Sequence, residues 1–205
     1  MPVSTPRGER TQETILAAAT QVVLESGPAA FSLREVARRS HLAPSALYNH
    51  FPNREALIIA IAQKALTELS AYLGVAGNGG TAADRLRLLG RAYFAFAADR
   101  PNEYRLVFEC LENPAMSWES YLAIAEPFTL IVDACTSGLA DGEFVDRAGV
   151  GAGGMAYGLW CLCHGHVSLK SRNLAYVQGD FDTLAAAAIE AVLAGWSTSS
   201  EKEGA

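Results

Sequence analysis

Four potential metal ligands lie close together in the last quarter of the sequence. Cys161, Cys163, His164 and His166 form a Cys-x-Cys-His-x-His run. Thiolate and imidazole groups are ligands that zinc, nickel and copper bind readily. The surrounding residues repeat with helical spacing, and side chains two apart on a helix point about 200° from each other. One helix therefore cannot bring all four groups to one ion. A metal-responsive regulator that draws further ligands from elsewhere stays open as the alternative function.

The same run contains the residue types of a nucleophile and its general base, Cys163 and His164. Adjacent helical residues diverge by about 100°, so these two side chains do not face one another. No glycine-flanked nucleophile turn precedes the cysteine, and no carboxylate is placed to orient the histidine. We expect a protein that is not an enzyme and that holds neither a metal ion nor a cofactor.

A second set of residues suits contact with nucleic acid. Ser45 and Asn49 are four residues apart and share one face of a helix that begins at Pro44. Side chains this short let a helix backbone lie deep in the major groove, and asparagine can bond adenine through two hydrogen bonds. A helix used only for protein contact is the competing interpretation.

Three short helices are predicted to position that face. Ile15, Ala18, Ala19, Val22 and Val23 form the apolar stripe of the first helix, which ends at Ser26-Gly27-Pro28. Ser32 and Glu35 have the spacing of a capping box, so a second helix begins there. A break at residues 40–42 separates it from the third helix. Two short helices joined by a tight turn are typical of a helix-turn-helix.

The rest of the sequence also repeats with helical spacing, and no alternation with a period of two appears. The predicted fold is all-α with about nine helices. Asn53 is expected to cap a long fourth helix, and the glycine-rich residues 74–80 to end it. The later helices are predicted at 81–99, 101–108, 118–139 with a kink at Pro127, 145–169 and 181–196.

Composition narrows the class of protein. Half of the residues are apolar and 19% are charged, which is typical of a packed globular protein. The net charge is −6, yet residues 1–55 carry six arginines against five glutamates, so the acidic excess lies in the remainder. Apolar stretches are interrupted before the length of a bilayer span, and the four cysteines have apolar helical neighbours. We expect a cytoplasmic protein with reduced cysteines and no membrane partner.

The stretch from Leu47 to Leu57, LYNHFPNREAL, resembles the signature of the TetR family of regulators, and the similarity extends over about residues 9–73. The resemblance implies a DNA-binding domain at residues 1–53 and a ligand-binding and dimerisation domain at residues 54–205. Arg7 and Arg10 would follow the duplex as a loose arm. The residues that the resemblance assigns to DNA contact are Ser32, Arg34, Pro44, Ser45, Ala46, Tyr48, Asn49, His50 and Arg54.

Two positions depart from the family pattern. His41 stands where the turn of the family has glycine, although histidine visits the left-handed backbone region more readily than most residues. Ala46 stands where a hydroxyl residue is common, which removes one polar contact to DNA.

The second half of the chain resembles one TetR subgroup, named for a Trp-His-Gly motif, at Trp160-Cys161-Leu162-Cys163-His164-Gly165. Glycines recur along the same predicted helix and permit close approach by another helix, so we expect it to form a four-helix bundle with the last helix and a second subunit. An apolar effector is expected among aromatic residues that carry few charges. The proposed lining is Tyr93, Phe94, Tyr104, Phe108, Trp118, Tyr121, Met155, Trp160 and His164.

The resemblance therefore implies a homodimeric repressor that binds double-stranded DNA at an inverted-repeat operator and is released by a small apolar effector.

Overall fold

Nine helices form the described part of the protein in a computed structural model, which covers residues 6–27, 29–76, 80–111, 118–170 and 179–198. The predicted all-α fold is confirmed. Within these ranges one antiparallel bridge, Phe144 to Ser197, joins two non-helical segments. The helices are α1 (Pro6–Ser26), α2 (Leu33–Arg39), α3 (Pro44–His50), α4 (Arg54–Ala76), α5 (Ala82–Asp99), α6 (Pro101–Leu111), α7 (Trp118–Ala140), α8 (Gly151–Lys170) and α9 (Phe181–Trp196).

The chain divides into two compact units. The N unit consists of Met1–Glu68 and Arg100–Ile124, and the C unit consists of Leu69–Asp99 and Ala125–Ala205. Most of α4 and all of α6 therefore belong with the first three helices. The functional boundary predicted between residues 53 and 54 stays a proposal, since it concerns activity and not packing.

The predicted stripe of α1 forms much of the core of the N unit, because Ile15, Ala18, Ala19, Val22 and Val23 are all buried. The helix ends as predicted. Gly27 has a φ of +75° and its N–H bonds the carbonyl of Val23 at 2.8 Å, a left-handed helix cap that glycine adopts without strain. Arg7 and Arg10 lie within α1, so the prediction of a loose arm at these residues was wrong.

The C unit packs α5 against α8 and α9. Gly90 makes the contact between α5 and α9 possible, since a Cβ atom there would lie 2.6 Å from Cδ1 of Ile189. The first turn of α5 has two caps. Thr81 and Asp84 bond each other's backbone N–H at 3.1 and 3.3 Å, and the Glu143 carboxylate accepts the N–H groups of Ala82 and Ala83 at 2.7 and 2.9 Å.

The helix predicted at 145–169 begins six residues later, at Gly151. The N–H of Val145 bonds the carbonyl of Trp196 at 2.7 Å, which holds this segment in a non-helical turn. Asp146 then accepts the N–H groups of Val150 and Gly151 at 3.1 and 2.6 Å. Such a capping carboxylate favours the start of a helix immediately after it, at Gly151.

Two features of the longer helices bear on the predictions. Residues Arg54–Gly74 of α4 are long and apolar enough by composition to cross a bilayer, whereas no stretch of that length was predicted. Leu57, Ile58 and Ile61 on this helix are at most 2% exposed and belong to the protein core. The helix α7 continues through Pro127, and the predicted kink there stays a prediction.

Candidate nucleic-acid interface

The turn between α2 and α3 fixes the geometry of the helix-turn-helix. The N–H of Leu42 bonds the carbonyl of Ala37 at 3.0 Å, and the N–H of His41 bonds the carbonyl of Arg38 at 3.3 Å. This pair of bonds is a Schellman motif, which requires a left-handed residue between the helix and the turn. His41 takes that role with a φ of +55°, the one positive φ of a non-glycine residue in the described ranges. The expectation that histidine replaces glycine in this turn is confirmed.

The third helix presents one buried and one exposed face. Leu47 is 1% exposed and anchors α3 in the core of the N unit. Pro44, Ser45 and Asn49 are exposed, and Tyr48 is 52% exposed although it is a large aromatic residue. Ala46 is half-buried. The side chains of Ser45, Tyr48 and Asn49 form no hydrogen bond with other described residues, so their polar groups are open to a partner.

The start of α2 differs from the predicted capping box. Ser32 occupies the N-cap with an extended backbone, but its side chain makes no capping hydrogen bond. Glu35 cannot complete the box because Arg38 and Arg39 hold both of its carboxylate oxygens. The predicted reciprocal hydrogen bonds were therefore wrong, although the helix begins at the predicted residue. Ser32 itself is exposed, and its predicted contact with DNA stays a proposal.

An ion-pair network joins α1 to α2. Arg39 contacts Glu25 of α1 at 2.6 Å and Glu35 of α2 at 2.7 Å, and Arg38 contacts Glu35 at 2.6 Å. Arg39 holds Glu25 through two parallel hydrogen bonds, a geometry that adds direction to the pairing. The network constrains α2 relative to α1. Sequence reasoning missed it because Glu25 and Arg39 are 14 residues apart and only the fold brings them together.

The pKa of Glu35 reflects this network. Hydrogen bonds from Arg38 and then Arg39 lower it from 4.5 to about 2. A carboxyl group with a depressed folded-state pKa stabilises the fold above its unfolded-state pKa, and that contribution is lost as the pH falls toward the folded value. We expect the free energy of unfolding to fall between pH 4.5 and pH 2, and to fall less in Glu35→Gln. Urea unfolding across this range measures both proteins.

Glu13→Gln is the matched control for that experiment, since Glu13 is exposed on α1 and forms no ion pair with another described residue. This variant should keep the steep dependence on pH of the unchanged protein. Equal dependence on pH in Glu35→Gln would contradict the assignment of the effect to Glu35.

Three further residues predicted to contact DNA lie in different settings. Arg34 is exposed on α2 and forms no ion pair with another described residue. His50 is half-buried at the end of α3. Arg54, in the first turn of α4, donates Nε to the carbonyl of Phe31 at 3.2 Å and Nη2 to that of Ala29 at 3.3 Å. Arg54 thus also holds the segment that leads into α2. Asn53 caps α4 as predicted, accepting the N–H of Ala56 at 2.7 Å.

The aromatic residues predicted to bind an effector do not all lie in one unit. In the C unit, the Tyr93 hydroxyl hydrogen-bonds Nδ1 of His164 at 3.1 Å, and the Trp160 ring lies 5.8 Å from the His164 ring. Phe94 and the buried Met155 belong to the same unit. Tyr104 and Phe108 pair at 4.8 Å in the N unit. The side chains of Trp118 and Tyr121 lie outside the described residues.

The possible metal ligands of α8 point to different surroundings. Cys161 is exposed, whereas Cys163 is buried and burial raises the pKa of its thiol to about 12. A thiol with such a pKa remains protonated at neutral pH, which disfavours metal binding. No three His, Cys, Asp or Glu side chains converge on one point within the described ranges. The geometry does not favour the metal-responsive alternative. Cys110 has no described side chain.

Two family profiles match the chain. Residues 15–61 match the profile described as "Bacterial regulatory proteins, tetR family". Residues 86–196, which are more than half of the chain, match the profile described as "Tetracyclin repressor-like, C-terminal domain". The subgroup predicted from the Trp-His-Gly motif stays a prediction.

One curated relative and several solved structures are similar to the chain. The HTH-type transcriptional activator FasR of Mycolicibacterium smegmatis is 30% identical over 139 residues, which are 66% of this chain and 59% of FasR. A regulatory protein of the tetR family from Rhodococcus RHA1 is 23% identical with a TM-score of 0.71, covering 90% of this chain and 96% of that one. FadR of Bacillus subtilis, solved in complex with stearoyl-CoA, is 19% identical with a TM-score of 0.71, covering 89% and 98%. Both structural likenesses concern the fold alone.

Proposed function

This chain belongs to the TetR family of bacterial regulatory proteins, and we propose that it is a cytoplasmic transcriptional repressor that binds an inverted-repeat operator as a homodimer and is released by an apolar effector. The observation that carries the proposal is the exposed face of α3. Its polar groups have no partner within the described protein, while Leu47 on the opposite face fixes the helix in the core.

In the proposed complex, α3 lies in the major groove. Ser45 and Asn49 face base edges, and Pro44 and Ala46 allow the backbone to approach closely. Tyr48, His50 and Arg54 contact phosphates, as do Arg34 and Ser32 at the start of α2. Arg34 is a suitable phosphate ligand because no described carboxylate neutralises it.

Arg54→Ala is expected to weaken binding to every DNA sequence and to reduce the slope of log affinity against log salt by about one, because one phosphate contact is lost. Fluorescence anisotropy with operator and unrelated duplexes at several salt concentrations measures both quantities. Arg91→Ala in the C unit makes the same change in charge and should leave the slope unchanged. Weaker binding with an unchanged slope would restrict Arg54 to holding the Ala29 and Phe31 carbonyls.

The proposed dimer forms through α8 and α9. One exposed stripe of α9 carries no charge, and its members are Leu184, Ala187, Ala191, Ala194 and Gly195. The exposed Asp182 and Glu190 of this helix lie outside that stripe. The outward face of α8 includes Gly153, Tyr157, Gly158 and Cys161, and Tyr157 is 58% exposed. Uncharged helical faces of this kind favour burial against another helix. Two such faces from each of two subunits make the four-helix bundle predicted from the sequence.

The glycines of α8 give independent support. A Cβ atom added to Gly153, Gly158 or Gly165 would meet no atom within 4 Å, so packing within the chain does not require them. Each costs helix stability by about 1 kcal/mol relative to alanine. Close contact with a helix of a second subunit would offset that cost. Gly151 and Gly154 differ, because the conformation of the subunit itself favours glycine at both positions. Gly151 has a φ of +68°, and a Cβ atom at Gly154 would lie 2.6 Å from Cβ of Val150.

The proposed effector site includes the Tyr93–His164 pair. Burial lowers the pKa of His164, so its ring is neutral at neutral pH and pairs with the Tyr93 hydroxyl without introducing a charge. Trp160 adds an apolar wall. An apolar effector oriented by a hydroxyl or an imidazole fits such a lining. The FadR structure that holds stearoyl-CoA makes acyl chains suitable members of the panel to be tested.

Binding of the purified protein to DNA from upstream of its own gene, with and without a panel of apolar compounds, tests the proposed function. We expect salt-dependent, specific binding that at least one compound weakens. Reporter expression then separates repression from activation, which matters because the relative FasR is an activator. Absence of specific binding at low and moderate salt would overturn the proposal.

A further inference from the structure

Two arginines of α2 share one exposed face of the helix. Arg34 and Arg38 are four residues apart and both are exposed, so their side chains leave the helix on the same side. Arg34 forms no ion pair with another described residue and is one of the proposed phosphate ligands. Arg38 lies about 6 Å further along the helix axis, and phosphate charges recur about every 3.4 Å along one strand of the duplex. A DNA backbone that follows this face comes within reach of both arginines.

Arg38 is nevertheless neutralised by a carboxylate. Its Nε donates to Oε2 of Glu35 at 2.8 Å and its Nη2 donates to Oε1 at 2.6 Å, so the two planar groups pair through two hydrogen bonds. The Arg38 side chain is 71% exposed, and Glu35 is its only ion-pair partner among the described residues. Since hydrogen bonds from Arg38 and Arg39 lower the pKa of Glu35 to about 2, the carboxylate is ionised at neutral pH.

Arg39 differs from Arg38 because it has a second partner. The Glu25 carboxylate accepts hydrogen bonds from its Nη1 and Nη2 at 2.8 and 2.6 Å, in addition to the bond between Nε and Glu35. The Arg39 side chain is also less exposed, at 24%. Loss of Glu35 would leave Arg39 fastened to α1, whereas Arg38 would have no partner among the described residues. The cation that depends on Glu35 alone is therefore Arg38.

We propose that Glu35 is a positioning residue that withholds Arg38 from the DNA backbone and so limits the number of phosphates that α2 contacts. The inference rests on the proposed DNA-binding function. A guanidinium group paired with a carboxylate adds no net charge toward DNA, whereas an unpaired one that neutralises a phosphate releases about one counterion. Phosphate contacts strengthen binding to all sequences alike. Withholding one of them leaves a larger share of operator affinity to contacts with bases.

Glu35→Ala tests this assignment by freeing Arg38. Fluorescence anisotropy at several salt concentrations, with an unrelated duplex and with DNA from upstream of the gene, measures the slope of log affinity against log salt. We expect the slope to steepen by about 0.9, which corresponds to an affinity gain of about eightfold near 0.1 M salt, because one further phosphate contact forms. Alanine favours the helix, so α2 should stay folded, and circular dichroism checks this.

Arg38→Met separates the release of Arg38 from the mere loss of a negative charge. Alone, this substitution should leave the slope unchanged, because Arg38 does not contact DNA in the unchanged protein. Combined with Glu35→Ala it should abolish the gain, so the effects of the two substitutions are not additive. Glu25→Ala removes an equal charge from the same network but keeps the pair of Arg38 with Glu35, and it should not steepen the slope.

Several results would overturn the inference although the unchanged protein binds DNA. They are an unchanged slope in Glu35→Ala, a gain that persists in the double variant, an equal gain in Glu25→Ala, and a shallower slope in Arg38→Met alone. The last result would mean that Glu35 directs Arg38 toward a phosphate. Absence of DNA binding by the unchanged protein would overturn the proposed function together with the inference, so the two failures are distinguishable.

Discussion

Gly158→Leu is expected to convert the proposed dimer into a folded monomer. A Cβ at Gly158 meets no atom within 4 Å, so a leucine there projects outward from α8 without a clash inside the subunit. Replacing glycine also favours the helix by about 0.8 kcal/mol. In a four-helix bundle, however, the added side chain would hold the partner helix away from the close approach that glycine permits. Analytical ultracentrifugation and circular dichroism measure assembly and folding separately.

The effect on DNA should be large, because a dimer binds two half-sites at once. Loss of this linkage should lower operator affinity by roughly 100-fold or more, with half-site affinity unchanged. Gly74→Leu is the control, since Gly74 lies in α4 and a Cβ there also meets no atom within 4 Å. That variant should remain dimeric. A dimeric Gly158→Leu protein would place the interface on another surface.

Asn49→Ala is the second variant with a large expected effect. Asn49 is exposed on α3, and its amide has no partner within the described protein. If it bonds a base, its removal should cost about 1–3 kcal/mol against the preferred base pair and nearly nothing against the others at that position. Competition binding with operators substituted at each position measures this difference. The free energy of unfolding should change little, because the side chain is exposed and forms no hydrogen bond with another described residue.

Gln63→Ala controls for the loss of an exposed amide elsewhere in the N unit and should leave base preference unchanged. A uniform loss of affinity across all operator variants in Asn49→Ala would assign Asn49 to the DNA backbone. Ser45 would then be the remaining candidate for base recognition on this face.

Local patterns predicted most of the N unit correctly. The burial of the α1 stripe follows from residue spacing alone, because the period of a helix places those side chains on one side. The turn at His41 was also predictable from local sequence, because its backbone conformation depends on neighbours within five residues. The capping box at Ser32 failed because two arginines compete for Glu35, and local spacing does not rank such competitors.

Features that depend on distant residues were not predictable from the sequence. The start of α8 was misplaced because Val145 bonds Trp196, 51 positions later in the numbering, and this contact keeps the segment from becoming helical. The aromatic set was chosen by composition, which cannot show that Tyr104 and Phe108 belong to the N unit.

The two caps on α5 have a consequence for folding during synthesis. Thr81 and Asp84 leave the ribosome together, so the local cap is available as soon as the helix emerges. Glu143 follows Ala82 by 61 residues, and the segment that carries it is itself fastened to Trp196 near the end of α9. Contacts between distant residues form late, after the cost of closing long loops has been met. A ribosome that stalls before Trp196 would therefore release a C unit in which α5 has its local cap but lacks its distant one.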